Sequence, residues 1–145
     1  MGRLKTLYWL QNRPMSSVTV PGIQIGLRLL LALVFVFMGT THFLPGPRRT
    51  MAAMIPPRLR GKGIISPRNL VLFTGLCEIA GGLGLVYPPT IVTAGACLVV
   101  FLIAVFPANA YAAGHRERFG RVAMPLVPRL AGQLGLMALI AFAIS

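Results

Sequence analysis

Few residues in this chain could do chemistry, and most of those that could stand in or beside long apolar runs. Glu78 lies in Leu76-Cys77-Glu78-Ile79-Ala80, Arg28 in Gly26-Leu27-Arg28-Leu29-Leu30, and Arg129 and Gln133 in Arg129-Leu130-Ala131-Gly132-Gln133. His42 closes an apolar run at Gly39-Thr40-Thr41-His42-Phe43, and Asn109 follows Phe106-Pro107-Ala108. The set offers a carboxyl and an imidazole for proton exchange, and guanidinium and carboxamide groups as hydrogen-bond donors. It suits the holding of a small polar head group. A metal needs more ligands than His42 and His115 provide, and only His42 is near an apolar run, so a membrane haem with two histidine ligands is excluded as well. Cys77 and Cys97 form no Cys-x-x-Cys pair and read as reduced thiols used for packing. His115, with Arg116, Glu117 and Arg118 after it, reads as solvated loop.

The elements that must position these residues follow from composition and proline placement. Of 145 residues, 56% are hydrophobic and 11% charged, and the mean hydropathy is +0.78. A soluble domain carries about 25% charged residues, and disorder requires low hydrophobicity, so both classes are excluded. The proline-free windows are 22–44, 68–87, 90–106 and 129–145. Each is close to the roughly 20 residues that cross a hydrocarbon core. The third is expected to continue past Pro107, with a kink, to Tyr111. The chain is therefore expected to be all-α, an integral membrane four-helix bundle in a single domain over 1–145. Residues 1–21 form an N-terminal tail, the spans cover about 22–44, 68–87, 90–111 and 129–145, and a long basic loop joins the first two spans. No cleavable signal is expected, because Leu7-Tyr8-Trp9-Leu10 is too short an apolar core. Tyr8 and Trp9 are expected at the membrane interface, and the fit of Met1-Gly2 with Thr6 to a myristoylation pattern reads as coincidence.

Antiparallel alternation of the spans brings His42, Glu78, Asn109, Arg129 and Gln133 to one half of the bundle. Glu78 lies roughly 12 Å from the start of its span at 1.5 Å per residue. Gly75, Glu78 and Gly82 fall within about 60° of one another on a helix, and small residues let a neighbouring backbone come close. Glu78 is thus expected to face the first helix, with Arg28 as its ion-pair partner and Arg129 as the rival. Ala80 and Gly84 form a second pair of small residues, suited to the third span. Asn109 and Gln133 are expected to satisfy backbone groups freed by Pro107.

The net charge of +12 arises from 14 Lys and Arg against Glu78 and Glu117. No polar basic domain accompanies it, so nucleic acid is not an expected partner. Arg48, Arg49, Arg58, Arg60, Lys62, Arg68, Arg116, Arg118 and Arg121 all fall in the first and third loops, while Arg3, Lys5 and Arg13 fall on the other side. The excess places loops 45–68 and 110–128 in the cytoplasm beside anionic lipid, with both termini outside a plasma membrane crossed several times.

Taken in order, Arg28, Gly39 to Phe43, Met54-Ile55-Pro56-Pro57, Gly75 to Glu78, Gly81 to Leu85, Pro88, Phe106 to Asn109, and Arg129 with Gln133 resemble the DoxX/DoxD-like family of small four-helix membrane proteins. The likeness covers about residues 28–133. The family tends to have Arg-x-Pro-x-Gln where this chain has Arg129 to Gln133 without a proline, and an aromatic residue where Arg58 and Leu59 stand. The resemblance implies a place beside thiosulfate:quinone oxidoreductases or oxidative-stress proteins, and most relatives have no assigned activity. Its fold also looks like that of vitamin K epoxide reductase, whose Cys-x-x-Cys is missing here.

The expected function is a non-catalytic membrane subunit with a small polar intramembrane pocket. It accompanies a soluble or membrane redox partner and has room for a quinone, with no cofactor or catalytic centre in the chain itself. A membrane scaffold or assembly factor without ligand is the alternative, and a minimal proton or solute carrier the third reading. The charge count generates a direct test. Cysteine introduced at Ser66 should be shielded from an impermeant thiol reagent in intact cells, and cysteine at Ser145 should be labelled. The opposite pattern inverts the orientation.

Overall fold

The computed structural model describes residues 16–145, with side chains from Pro21 onward apart from that of Val122. The expectations for Met1, Gly2, Arg3, Lys5, Thr6, Tyr8, Trp9 and Arg13 lie outside the described residues. The architecture is all-helical, with no strand among the described residues. We number the helices α1 (Ser16–Thr41), α2 (Pro45–Met54), α3 (Pro67–Gly84), α4 (Ile91–Gly114), α5 (Arg116–Phe119) and α6 (Leu126–Ile144).

Proline sets several of these boundaries, and not always where a helix-breaking rule puts them. Pro45 and Pro67 open α2 and α3, where the missing N–H has no helical acceptor in any case. The same logic lets α6 begin at Leu126, with Pro128 in its first turn, and not at 129. α1 runs through Pro21 rather than starting at 22, and α4 continues through Pro107 to Gly114, past the expected end at Tyr111. α3 stops at Gly84, short of 87, ahead of a turn at Pro88–Thr90. The Thr90 hydroxyl secures that turn, lying 2.9 Å from the Gly84 carbonyl and 3.0 Å from that of Tyr87.

Among the described residues, three helical stretches are long and apolar enough to cross a membrane: Pro21–Thr41, Pro88–Gly114 and Leu126–Ile144. α3, expected as the second span, is not among them, because its 18 residues include Arg68, Asn69 and Glu78. The segment expected as a long loop is also more ordered than that, folding as α2 followed by turns at Pro57–Leu59 and Gly63–Ile65.

The long helices pack as a ring in which α1 adjoins α3, α3 adjoins α4, α4 adjoins α6, and α6 returns to α1. Glycines permit the closest of these approaches. A Cβ at Gly75 would lie 2.6 Å from the His42 Cβ and 2.9 Å from the Gly39 carbonyl oxygen, and one at Gly82 would lie 3.0 Å from the Ala32 oxygen. Gly75 and Gly82 thus face α1, as their spacing with Glu78 predicts. Gly84 meets Ala94 of α4, whereas Ala80, its expected companion, is exposed.

Two apolar clusters result. Leu31, Phe35, Leu85, Leu98, Leu102 and Ile140 belong to the larger one, and Met54, Ala112, Phe119 and Ala123 form the smaller one under the loops. Outside them the helices expose large apolar side chains, such as Leu33 at 68%, Phe37 at 65% and Val100 at 65%.

The glycine contacts make opposite predictions for one substitution. Ala is the better helix former by about 0.8–1.0 kcal/mol. At Gly132, where an added Cβ meets nothing within 4 Å, Gly132→Ala should raise the stability of the detergent-solubilised protein. Gly75→Ala should lower it by about 1–3 kcal/mol, because the α1 backbone must move aside. Thermal unfolding followed by circular dichroism checks both.

Candidate functional site

Between the two apolar clusters lies a cavity of about 470 Å³, within the range of small-molecule sites. Met38 of α1, His42 just beyond its end, Thr74 and Glu78 of α3, Asn109 of α4 and Arg129 of α6 border it. Its remaining wall comes from the segment after α1, through Met51, Met54, Ile55 and Leu59. That wall is fastened by Arg60, whose Nε donates to the Ile55 carbonyl at 2.8 Å and whose Nη2 donates to that of Ala53 at 2.9 Å. The guanidinium so occupies the last carbonyls of α2, which have no helical donor of their own.

Four of the six residues singled out by sequence therefore meet at one cavity. His42, in the turn that follows α1, is fixed to the last turn of that helix, Nδ1 donating to the Met38 carbonyl at 3.0 Å. The same nitrogen lies 3.5 Å from Oε2 of Glu78, too far for a good hydrogen bond. Oε2 of Glu78 is buried with no hydrogen-bond partner, and so is Nη1 of Arg129. A buried polar group left unsatisfied costs about 1–3 kcal/mol, more when charged. Glu78 and Arg129 both border the cavity, while these two atoms have almost no accessible surface and are packed into its wall.

Gln133 lies outside the cavity lining. Its Nε2 donates to the Leu102 carbonyl at 2.9 Å, one residue before the Ile103 carbonyl that Pro107 leaves without a helical donor. It joins α6 to α4 where Pro107 interrupts the hydrogen-bond ladder. Asn109, two residues past Pro107, turns to the cavity.

The expected pairing of Arg28 with Glu78 is not what forms. Arg28 Nε donates to the Ala143 carbonyl at 2.6 Å, and Gln24 Nε2 reaches the Phe142 and Ser145 carbonyls at 3.1 and 3.0 Å. One turn apart on α1, these side chains occupy the last carbonyls of α6, the end of a helix that attracts cations. The registry of α1 against α3 explains the error. Glu78 sits beside Gly39, 3.1 Å from a Cβ built there, which is 11 residues, or roughly 16 Å, along α1 from Arg28. A match in depth counted from the helix ends fails because those ends are not level: Gly82, two residues from the end of α3, already faces Ala32 of α1. His115 is a second correction. It is half-buried, its Nδ1 donates to the Tyr111 carbonyl at 2.8 Å, and its ring lies 4.2 Å from that of Tyr111.

Several participants escape a reading based on proline-free windows. Pro45 at the start of α2, followed by Met51, Met54 and Ile55 at helical spacing, carries the signal for a helix packed over the cavity. Gln24 is detectable only as the i, i+4 companion of Arg28. Among the described residues, no group of three His, Cys, Asp or Glu is placed to hold a metal ion, and Cys77 and Cys97 are free thiols.

The described residues thus define an all-helical structure with three helices long and apolar enough to span a membrane and a partly open cavity lined by a few polar groups. The chain belongs to the family described as Domain of unknown function (DUF8561), whose model matches residues 31–145. No curated protein and no solved structure matches it.

The corrected contacts generate a double-mutant test. Arg28→Gln and Glu78→Gln should destabilise additively to within about 0.5 kcal/mol, as separate sites do. His42→Gln with Glu78→Gln should deviate from additivity by about 1 kcal/mol or more, since these side chains touch. Coupling between Arg28 and Glu78 would restore the pair that the geometry rejects.

Proposed function

We propose that this chain is a multi-pass plasma-membrane protein in which α1, α3, α4 and α6 form a four-helix bundle. In this reading α3 crosses with the others, its Thr74 and Glu78 turned to the cavity and Arg68 and Asn69 exposed at its start, while Phe73 and Leu76 meet lipid. The exposed apolar side chains along the bundle support a bilayer setting. The exposed Arg49, Arg58, Arg60, Lys62, Arg68, Arg116, Arg118 and Arg121 support a cytoplasmic position for the loops that carry them.

Within that setting the protein is a non-catalytic, DoxX-like subunit. It holds a small amphiphile of the quinone type for a redox partner. The observation that carries this reading is the cavity bordered by Glu78, His42 and Arg129. A quinone carbonyl accepts a hydrogen bond from Arg129. Two-electron reduction of a quinone takes up two protons, and Glu78 and His42 are the proton-exchanging groups on the cavity wall. The electrons come from the partner. The exposed basic rim favours a second reading, a scaffold that docks an acidic protein and holds no ligand.

Affinity isolation in mild detergent, followed by mass spectrometry of lipids and proteins, tests the two. The ligand reading expects bound quinone at near-stoichiometric amounts, lost in Arg129→Ala. A single stoichiometric client with no quinone, unchanged by Arg129→Ala, supports the scaffold and overturns the ligand reading.

A further inference from the structure

Four residues both line the partly open cavity and are exposed: Met38, Leu59, Ala104 and Pro107. They mark where it opens. Leu59 stands in the segment after α2, between the exposed Arg58 and Arg60. Met38 is three residues before the end of α1 at Thr41, roughly 4.5 Å at 1.5 Å per residue. Ala104 is deeper. It lies ten residues before Gly114 in the apolar stretch that begins at Pro88, so roughly 15 Å from one end and 24 Å from the other. A hydrocarbon core is about 30 Å thick, so in a bilayer this residue sits among lipid chains. Val100, Ile103, Ala104 and Pro107 fall within about 100° of one another on α4. Val100 is 65% exposed and Ile103 57%, which makes this flank the lipid-facing one. The cavity reaches that flank past small side chains, Ala104 and Ala108 one turn apart. A molecule passing there moves only through hydrocarbon. A charged head group would have to shed its water to do so, whereas a neutral molecule dissolved in the bilayer would not. The walls suit such a body, since Met51, Met54, Leu70 and Leu102 are apolar and methionine adapts to irregular shapes.

We propose that the cavity is loaded sideways from the bilayer through a portal at Ala104 on α4, and that its occupant is a neutral lipid with a hydrocarbon chain. This assignment rests on the ligand-holding reading above and narrows it by route and by charge. The basic loops attract anions, yet phosphate-bearing and water-soluble molecules are not what the portal admits.

The test uses the full chain in nanodiscs, with Cys77→Ala and Cys97→Ala, and Met54→Cys as a reporter on the buried cavity wall. The probes are N-dodecylmaleimide, carried by the bilayer, and a sulfonated maleimide confined to water, and alkylation rates are read by mass spectrometry. The dodecyl reagent should modify the reporter readily and the sulfonated one slowly. Ala104→Trp should slow the dodecyl reagent about ten-fold, a barrier increment of about 1.4 kcal/mol. It should leave the sulfonated rate unchanged, which also shows that the variant is folded, and Ala104→Leu should have a smaller effect. Ile103→Trp adds the same bulk to the lipid-facing flank outside the cavity lining and should change neither rate. A dodecyl rate slowed by Leu59→Trp and not by Ala104→Trp places entry at the loop. That result overturns the portal and leaves the ligand-holding reading standing. Equal slowing by Ile103→Trp, or a sulfonated reagent as fast as the dodecyl one, does the same. Failure of both reagents to reach the reporter overturns both.

Discussion

The rest of the structure depends on the approach of α1 to α3 at Gly39 and Gly75. Neither position has room for a methyl group, so the two backbones touch and their registry is fixed to within a fraction of a turn. Burial of apolar area alone would not achieve this in a bilayer, where lipid tails match Leu side chains in polarity and close van der Waals packing drives association. The contact also decides which polar groups meet. Because Gly75 rests on the His42 side chain, Glu78, three residues on, comes within 3.5 Å of the imidazole and is carried well away from Arg28.

A second constraint acts at the far end of α1. Gln24 and Arg28 hold the final carbonyls of α6. Gln133 ties α6 to α4 beside Pro107, and Ile144 packs against Gly95. α6 is therefore positioned by contacts with α1 and α4, none of which involves Glu78. Gln24 and Arg28 serve carbonyls that the end of α6 leaves unsatisfied. Helix ends and the stretch beside a proline are where such carbonyls arise. Arg60 does the same for α2.

Much of this was legible in the sequence, and the failures share a cause. Helix existence and type follow from composition, and the convergence of His42, Glu78, Asn109 and Arg129 on one cavity follows from alternation of antiparallel helices. The α1-facing glycines follow from their spacing with Glu78. What the sequence did not disclose was relative height. Span ends were taken from prolines, yet prolines sit inside α1 and within the first turn of α6 without ending them. The ends of α1 and α3 are also not level, since Gly82 near the end of α3 faces Ala32, so a height counted from the ends brings Arg28 falsely within reach of Glu78. The same reliance on prolines concealed α2, since Pro45 begins a helix where the window rule ended one.

The isolation of Glu78 from Arg129 is then a property of the whole packing and not of either residue. A carboxyl and a guanidinium free to move would close on each other, since a direct pair recovers part of the cost of burying both. Here α3 is held against α1 by glycine contact, and α6 is held by carbonyl capping at one end and by Gln133 near the other. Neither helix can shift without breaking contacts that have no connection to the cavity. The two groups stay apart, unsatisfied, at fixed positions in a largely apolar space. A site maintained in this way loses little conformational freedom when it binds, so more of each new hydrogen bond is expressed as affinity.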